Sequence, residues 1–250
     1  MSMPLPRLVV HLASGQWQDV PATGEWLSAA ELAVLAGLKL DKRRNDWRLG
    51  RWLARRAAFA ALGGEAPELA IIAAPDGAPE VHGAGSAMAL TISHSHGRGL
   101  AAAAAGTPRL GCDLELVEPR SERFVRDWLT GDESARIRSA AEDERPLLAN
   151  LCWSAKEAAS KVLRVGLRFD TRSFAVDLPA PGALAGTRTA AWQTISVTAV
   201  KSGESFEGVW RARAGFVETL LAETTFEVRE WEGEREGEWK GERAQGTGTP

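Results

Sequence analysis

The stretch Leu110-Gly111-Cys112-Asp113-Leu114-Glu115-Leu116 alternates acidic and apolar residues and reads as a β-strand. Residues two apart on a strand share a face, so Asp113 and Glu115 stand side by side. The alternation predicts that both carboxylates lie on the open face of a sheet. Downstream, Trp153-Ser154-Ala155-Lys156-Glu157-Ala158-Ala159-Ser160-Lys161 falls inside a helical pattern that runs from Pro146 to Val165 and stops at Gly166. Glu157 and Lys161 are four apart and share a helix face, whereas Lys156 is five from Lys161 and points elsewhere. A strand with two carboxylates and a helix with a carboxylate and an ammonium can meet around a hard cation and a phosphate. Such a site does phosphoryl-type chemistry.

The same order of elements extends outward on both sides. Leu8 to Leu12 reads as a first strand, and Ser28 with Glu31 forms a capping box before a helix. A stronger helix runs from Lys42 to Leu62 and ends at Gly63-Gly64. Around the turn Pro75-Asp76-Gly77, the runs 69–73, 87–92, 100–104 and 110–116 read as strands. In the second half, 123–129 and 132–138 read as helical, and strands are predicted at 173–178, 194–200, 208–214 and 216–223. Helix-then-strands in each half predicts an α+β fold. The boundaries drawn are 1–106, 107–229 and a tail of 230–250, whose Glu/Gly/Trp composition predicts disorder.

Bulk properties exclude some classes. The chain has 250 residues, 44% hydrophobic and 25% charged, with a net charge of −3, so it is no globally basic nucleic-acid binder. The cysteines are Cys112 and Cys152 alone, which gives no disulfide framework and predicts a reduced, cytoplasmic setting. The first residues lack the pattern of a signal peptide, and no apolar run is long enough to span a membrane.

Two further constellations carry chemistry. Arg44, Arg48, Arg51 and Arg55 are spaced 4, 3 and 4 along one helix face. They read either as a solvated basic face or as a partner for a polyanion, since guanidinium groups bind phosphate bidentately. Thr91-Ile92-Ser93-His94-Ser95-His96-Gly97 offers backbone N–H groups, hydroxyls and imidazole in a short loop, either as a polar turn or as a phosphate cradle. The acidic site, likewise, is either a solvated sheet face or a cation site. As a cation site its oxygen-only donors favour Mg²⁺, with Mn²⁺ possible, over zinc.

The joint order is more specific than any one part. Lys42-Arg43-Arg44-Asn45-Asp46-Trp47 continuing through Gly50-Arg51-Trp52, then Ile92-Ser93-His94-Ser95, then Gly-x-Asp-x-Glu, then Trp-Ser-x-Lys-Glu-x-x-x-Lys, then Gly166-Leu167, resembles the Sfp-type 4′-phosphopantetheinyl transferases from about Arg43 to Val176. The resemblance implies a pseudo-dimer of two similar α+β halves with the active site between them. It implies transfer of the 4′-phosphopantetheine arm of coenzyme A to a serine of an acyl or peptidyl carrier protein, with Mg²⁺ and release of adenosine 3′,5′-bisphosphate. Carriers of fatty-acid, polyketide or nonribosomal peptide synthesis fit equally. By motif, Asp113, Glu115 and Glu157 would hold the metal, and Glu157 and Lys161 would be catalytic. Arg44, Arg51, Ser93, His94 and Lys161 would bind coenzyme A, and a monomer is expected. The pattern departs from the family at Ala78, where a lysine often follows the turn glycine, and at Cys112, where an aliphatic residue is more usual. A Mg²⁺-dependent nucleotide or pyrophosphate hydrolase is the competing reading.

Overall fold

The computed structural model describes residues 7–64, 68–166, 170–180, 184, 190–231 and 233. In chain order the elements are β1 (Leu8–Gln16), α1 (Ala29–Gly37), α2 (Asp41–Ala61), β2 (Ala70–Ala73), β3 (Pro79–His82), β4 (Met88–Ser95), β5 (Arg98–Ala105) and β6 (Leu110–Leu116). Then come α3 (Glu122–Trp128), α4 (Gly131–Ser139), α5 (Arg145–Val162), β7 (Phe174–Val176), β8 (Gln193–Ala199), β9 (Glu204–Arg213), β10 (Phe216–Ala222) and β11 (Phe226–Glu230). The mixed α+β class is as expected. Among the described residues no helix is long and apolar enough to cross a membrane.

Local chemistry explains the helix limits. Ser28 and Glu31 exchange hydrogen bonds and start α1. Pro146 sits in the first turn of α5, where its missing N–H costs nothing. Past α5 the backbone turns left-handed at Arg164 and again at Gly166.

Two sheets carry the architecture, in the orders β11-β1-β5-β4 and β6-β10-β9-β8-β7, with β2-β3 a separate ribbon. The strand β5 shows how they stack. Its Leu100, Ala102 and Ala104 belong to the core between the two sheets, while Ala101 and Ala103 belong to the core under α2. Small side chains on both faces let a helix and a sheet approach the same strand. The second sheet buries its other face under α5, where Phe206, Trp210, Leu151 and Ala155 meet. The layers are therefore α2, first sheet, second sheet, α5.

The sequence boundaries miss one exchange. β11 pairs parallel to β1, with Leu8 opposite Phe226 and Leu12 opposite Glu230. A strand from the end of the chain thus completes the N-terminal sheet. The tail boundary at 230 also falls too early. Glu230 accepts hydrogen bonds from Arg211 and Trp192, the Trp231 backbone N–H donates to Leu12 at 2.7 Å, and its ring lies edge-on to Phe59 at 5.5 Å. Composition hid this strand because charged residues alternate along an edge. Residues 232 and 234–250, the rest of the expected tail, lie outside the described residues, as does Leu167.

Candidate functional site

Gly111 is what lets the strand and helix acids meet. A Cβ there would stand 2.0 Å from the Ala158 carbonyl oxygen, so only glycine lets α5 lie directly on β6. The contact carries Glu157 and Lys161 to the carboxylate of Asp113. Lys161 Nζ donates to Asp113 Oδ1 at 2.9 Å and to the Cys112 carbonyl at 2.8 Å. Ser93 Oγ donates to the same Oδ1 at 2.9 Å, from β4 of the first sheet. Among the described residues Asp113 Oδ2, which is buried, has no hydrogen-bond partner.

Asp113 is therefore not on an open sheet face, as the alternation predicted. It is 4% exposed, because α5 covers the face it shares with Glu115. Glu115 accepts from Trp153 Nε1 and Arg120 Nη2, each at 3.1 Å. Burial and then the charge of Asp113 push the Glu115 carboxyl up to about 7, with Arg120 opposing. Burial and Asp113 raise Glu157 to about 7 as well, with Lys161 opposing. Burial works against the Lys161 ammonium, but Asp113, Cys112 and Glu157 together outweigh it and hold the pKa above its ordinary value.

A cleft of about 580 Å³ opens beside this pair. Ala78, Val81, Leu90, Ile92, Leu110 and Val162 give it apolar walls, and Lys161 lines it with Arg109 and Arg164. Arg109 is paired with Glu204 and Glu223, and Arg164 with Asp76 and Glu80. Arg164 thus reaches from the end of α5 to the turn beside Ala78, with its Nε 2.7 Å from Asp76 Oδ2.

Ser93 and His94 separate, which their grouping as two phosphate contacts did not anticipate. Neighbours on a strand point to opposite faces. Ser93 faces β6, where its one proton goes to Asp113, so as it stands it positions an acid rather than a phosphate. His94 faces α2, with Nδ1 4.0 Å from Asp46 Oδ2. Asp46 also holds Lys42 Nζ at 2.8 Å and Trp17 Nε1 at 3.1 Å. Burial lowers the His94 pKa, Asp46 opposes, and Lys161 and Lys42 lower it further.

The arginine stripe is not one surface. Arg44 donates to the carbonyls of Leu35 and Leu38, and Arg48 to those of Pro21, Ala22 and Thr23. Arg55 is buried on Glu31 and the Leu69 carbonyl, so an acid 24 residues upstream relieves the repulsion. Arg51 lies 4.8 Å over the Trp47 ring, and its buried Nε has no hydrogen-bond partner among the described residues. Neither Arg44 nor Arg51 lines the cleft. Arg44, Arg48 and Arg55 tie α2 to α1 and to the loops around it.

Among the described residues no group of three His, Cys, Asp or Glu side chains is gathered as a metal cage. Yet the chemistry fits a hard ion. Asp113 Oδ2 is a buried acceptor with no donor among the described residues, and the Asp113 charge is felt by both Glu115 and Glu157. Asp113, Glu115 and Glu157 are the residues that would hold it.

Sequence reasoning missed Arg120, which grips Glu115, and the partner of Lys156. Glu115 and Arg120 are only five apart, so a cation near the acid pair was a usable signal. Residues 109–211 match the family model described as the 4′-phosphopantetheinyl transferase superfamily. The matched span holds Asp113, Glu115, Glu157 and Lys161, and leaves α2, β4 and β5 outside. No curated protein matches the chain significantly.

Proposed function

We propose that this chain transfers the 4′-phosphopantetheine arm of coenzyme A to a serine hydroxyl of a carrier protein, in the manner of the Sfp-type enzymes. The observation that carries this is the Asp113–Lys161 pair, 2.9 Å apart beside a cleft, within the residues that match the superfamily model. A bound Mg²⁺ would supply charge neutralisation for the pyrophosphate. Everything else falls to the protein's own groups. The apolar walls of the cleft take the organic part of the ligand. Lys161, held by Asp113 and the Cys112 carbonyl, keeps a proton to offer the departing phosphate. Glu157, on the face of α5 that it shares with Lys161, would take the serine proton as the oxygen–phosphorus bond forms and the pyrophosphate bond breaks. Incubation with coenzyme A and Mg²⁺ but no carrier tests the reading against a hydrolase. Coenzyme A should survive. Its breakdown to free phosphopantetheine would support hydrolysis instead.

Lys161→Ala should slow the chemical step on the order of 10²-fold or more while weakening coenzyme A binding less. Charge on the leaving group grows in the transition state, so the ammonium matters most there. Single-turnover transfer and a binding titration separate the two effects. A loss confined to binding would remove Lys161 from the catalytic step.

His94 gives a pH signature. Its imidazole titrates below the ordinary value in the free protein, mainly through burial. A bound phosphate favours the protonated ring and raises that pKa, so coenzyme A affinity should rise as pH falls through the imidazole range. His94→Gln should flatten the rise, read from binding titrations between about pH 5.5 and 8. An unchanged slope in the variant would exclude His94 as the phosphate contact.

A further inference from the structure

Both carboxylate oxygens of Glu115 are held by side chains with no part in the transfer described above. Oε2 accepts from Arg120 Nη2 and Oε1 from Trp153 Nε1, each at 3.1 Å. Neither donor is loosely placed. Arg120 Nε donates to Asn150 Oδ1 at 2.7 Å, its Nη1 pairs with Glu118 at 3.2 Å, and its guanidinium lies 4.9 Å over the Phe124 ring. Asn150 is fully buried, and its amide is fixed by the carbonyls of Glu118 and Pro146, both at 2.7 Å. The Trp153 ring stands edge-on to Phe124 at 5.2 Å and to Trp128 at 5.7 Å.

The arrangement crosses elements. Glu115 is on β6, Trp153 is on α5 one turn before Glu157, and Arg120 lies between β6 and α3. Each donor occupies one lone-pair site of a carboxylate oxygen, and further acceptor sites remain. A glutamate left free would lose rotamer entropy on being fixed by a ligand. Here that ordering is in place beforehand. Partners that orient a ligating carboxylate typically change metal affinity by about 10–100-fold when removed.

We propose that Arg120 and Trp153 are positioning residues that clamp the Glu115 carboxylate for cation binding, and so set metal affinity without touching the metal. The inference rests on the reading of Asp113, Glu115 and Glu157 as cation ligands.

The test uses Mn²⁺ as the probe, titrated into the full chain with coenzyme A present and no acceptor, with free Mn²⁺ followed by electron paramagnetic resonance. Trp153→Phe keeps the aromatic stack and removes the N–H. Arg120→Lys keeps the charge and removes the fork. Each should weaken Mn²⁺ binding about tenfold or more. Trp153→Phe should then change nothing further when Glu115 is already alanine, because the two act as one unit. A Trp153→Phe variant with wild-type Mn²⁺ affinity would overturn the clamp. So would an equal loss in the Glu115→Ala background. Should Arg120→Lys fold poorly, Trp153→Phe alone decides. Asp113→Asn separates the clamp from the reading beneath it. If that variant also binds Mn²⁺ normally, the cation site itself fails. If it loses Mn²⁺ while the Trp153 and Arg120 variants keep it, the clamp alone is wrong.

Discussion

Asp113→Asn is expected to reduce transfer by at least 10²–10³-fold, the scale of losing a charged group aimed at the reacting centre. The amide keeps an oxygen for Ser93 and Lys161 but removes the negative charge that holds the ammonium and would bind the cation. Asparagine is the better substitution because Asp113 is buried. Alanine would also strip an acceptor from the Ser93 hydroxyl and blur the readout. Two quantities distinguish the outcomes. Transfer should stop responding to added Mg²⁺, while the melting temperature falls by only a few degrees, since the Lys161 ammonium that loses its counter-ion still reaches solvent. Near-normal transfer that still rises with Mg²⁺ would mean that Asp113 serves the fold alone.

Lys156→Ala is expected to destabilise the protein by about 3–5 kcal/mol, the cost of breaking a buried pair. The spacing argument rightly turned Lys156 away from Lys161, but the far side is the core and not water. Lys156 is 0% exposed. Its Nζ meets Glu133 Oε2 at 2.8 Å and donates to the carbonyls of Thr171 at 3.0 Å and Phe174 at 2.7 Å, so all three protons are used. Glu133, itself 4% exposed, accepts from the backbone N–H of Thr130 at 2.7 Å and of Val176 at 2.8 Å. One ammonium therefore fastens α5 to the start of α4 and to β7. Removing it leaves an unpaired carboxylate and two carbonyls in the core. Urea unfolding should show the loss, and transfer per folded molecule should change little. A wild-type unfolding midpoint would contradict the burial. Lys161→Ala should be poor in rate, and it should lose some stability as well, because the buried Asp113 carboxylate is left without its counter-ion.

What the sequence made legible follows the reach of its periodicities. A two-residue period put Asp113 and Glu115 on one face of β6, and a four-residue period put Glu157 and Lys161 on one face of α5. The capping box at Ser28 was readable because both of its partners lie within four residues. Periodicity says which residues share a face, but not what covers that face. For this reason Asp113 was expected in the open, and Lys156 was turned away from Lys161 with nothing to say that the core lies on that side. Contacts across long separations left no local trace. Glu133 lies 23 residues before Lys156, Glu31 lies 24 before Arg55, and β11 pairs with a strand more than 200 residues earlier. The strand alternation that separates Ser93 from His94 was available, but reading the segment as a loop concealed it.

The central claim is transfer to a carrier protein, and intact-mass spectrometry measures it most directly. A panel of fatty-acid, polyketide and peptide-synthetase carrier domains would be incubated with the full chain, coenzyme A and Mg²⁺. At least one carrier should gain the mass of a single phosphopantetheine arm on its serine, matched by release of adenosine 3′,5′-bisphosphate, and lose that gain when the serine is alanine. Unchanged masses across the panel with folded protein, or coenzyme A cleaved without any carrier gaining mass, would contradict the account.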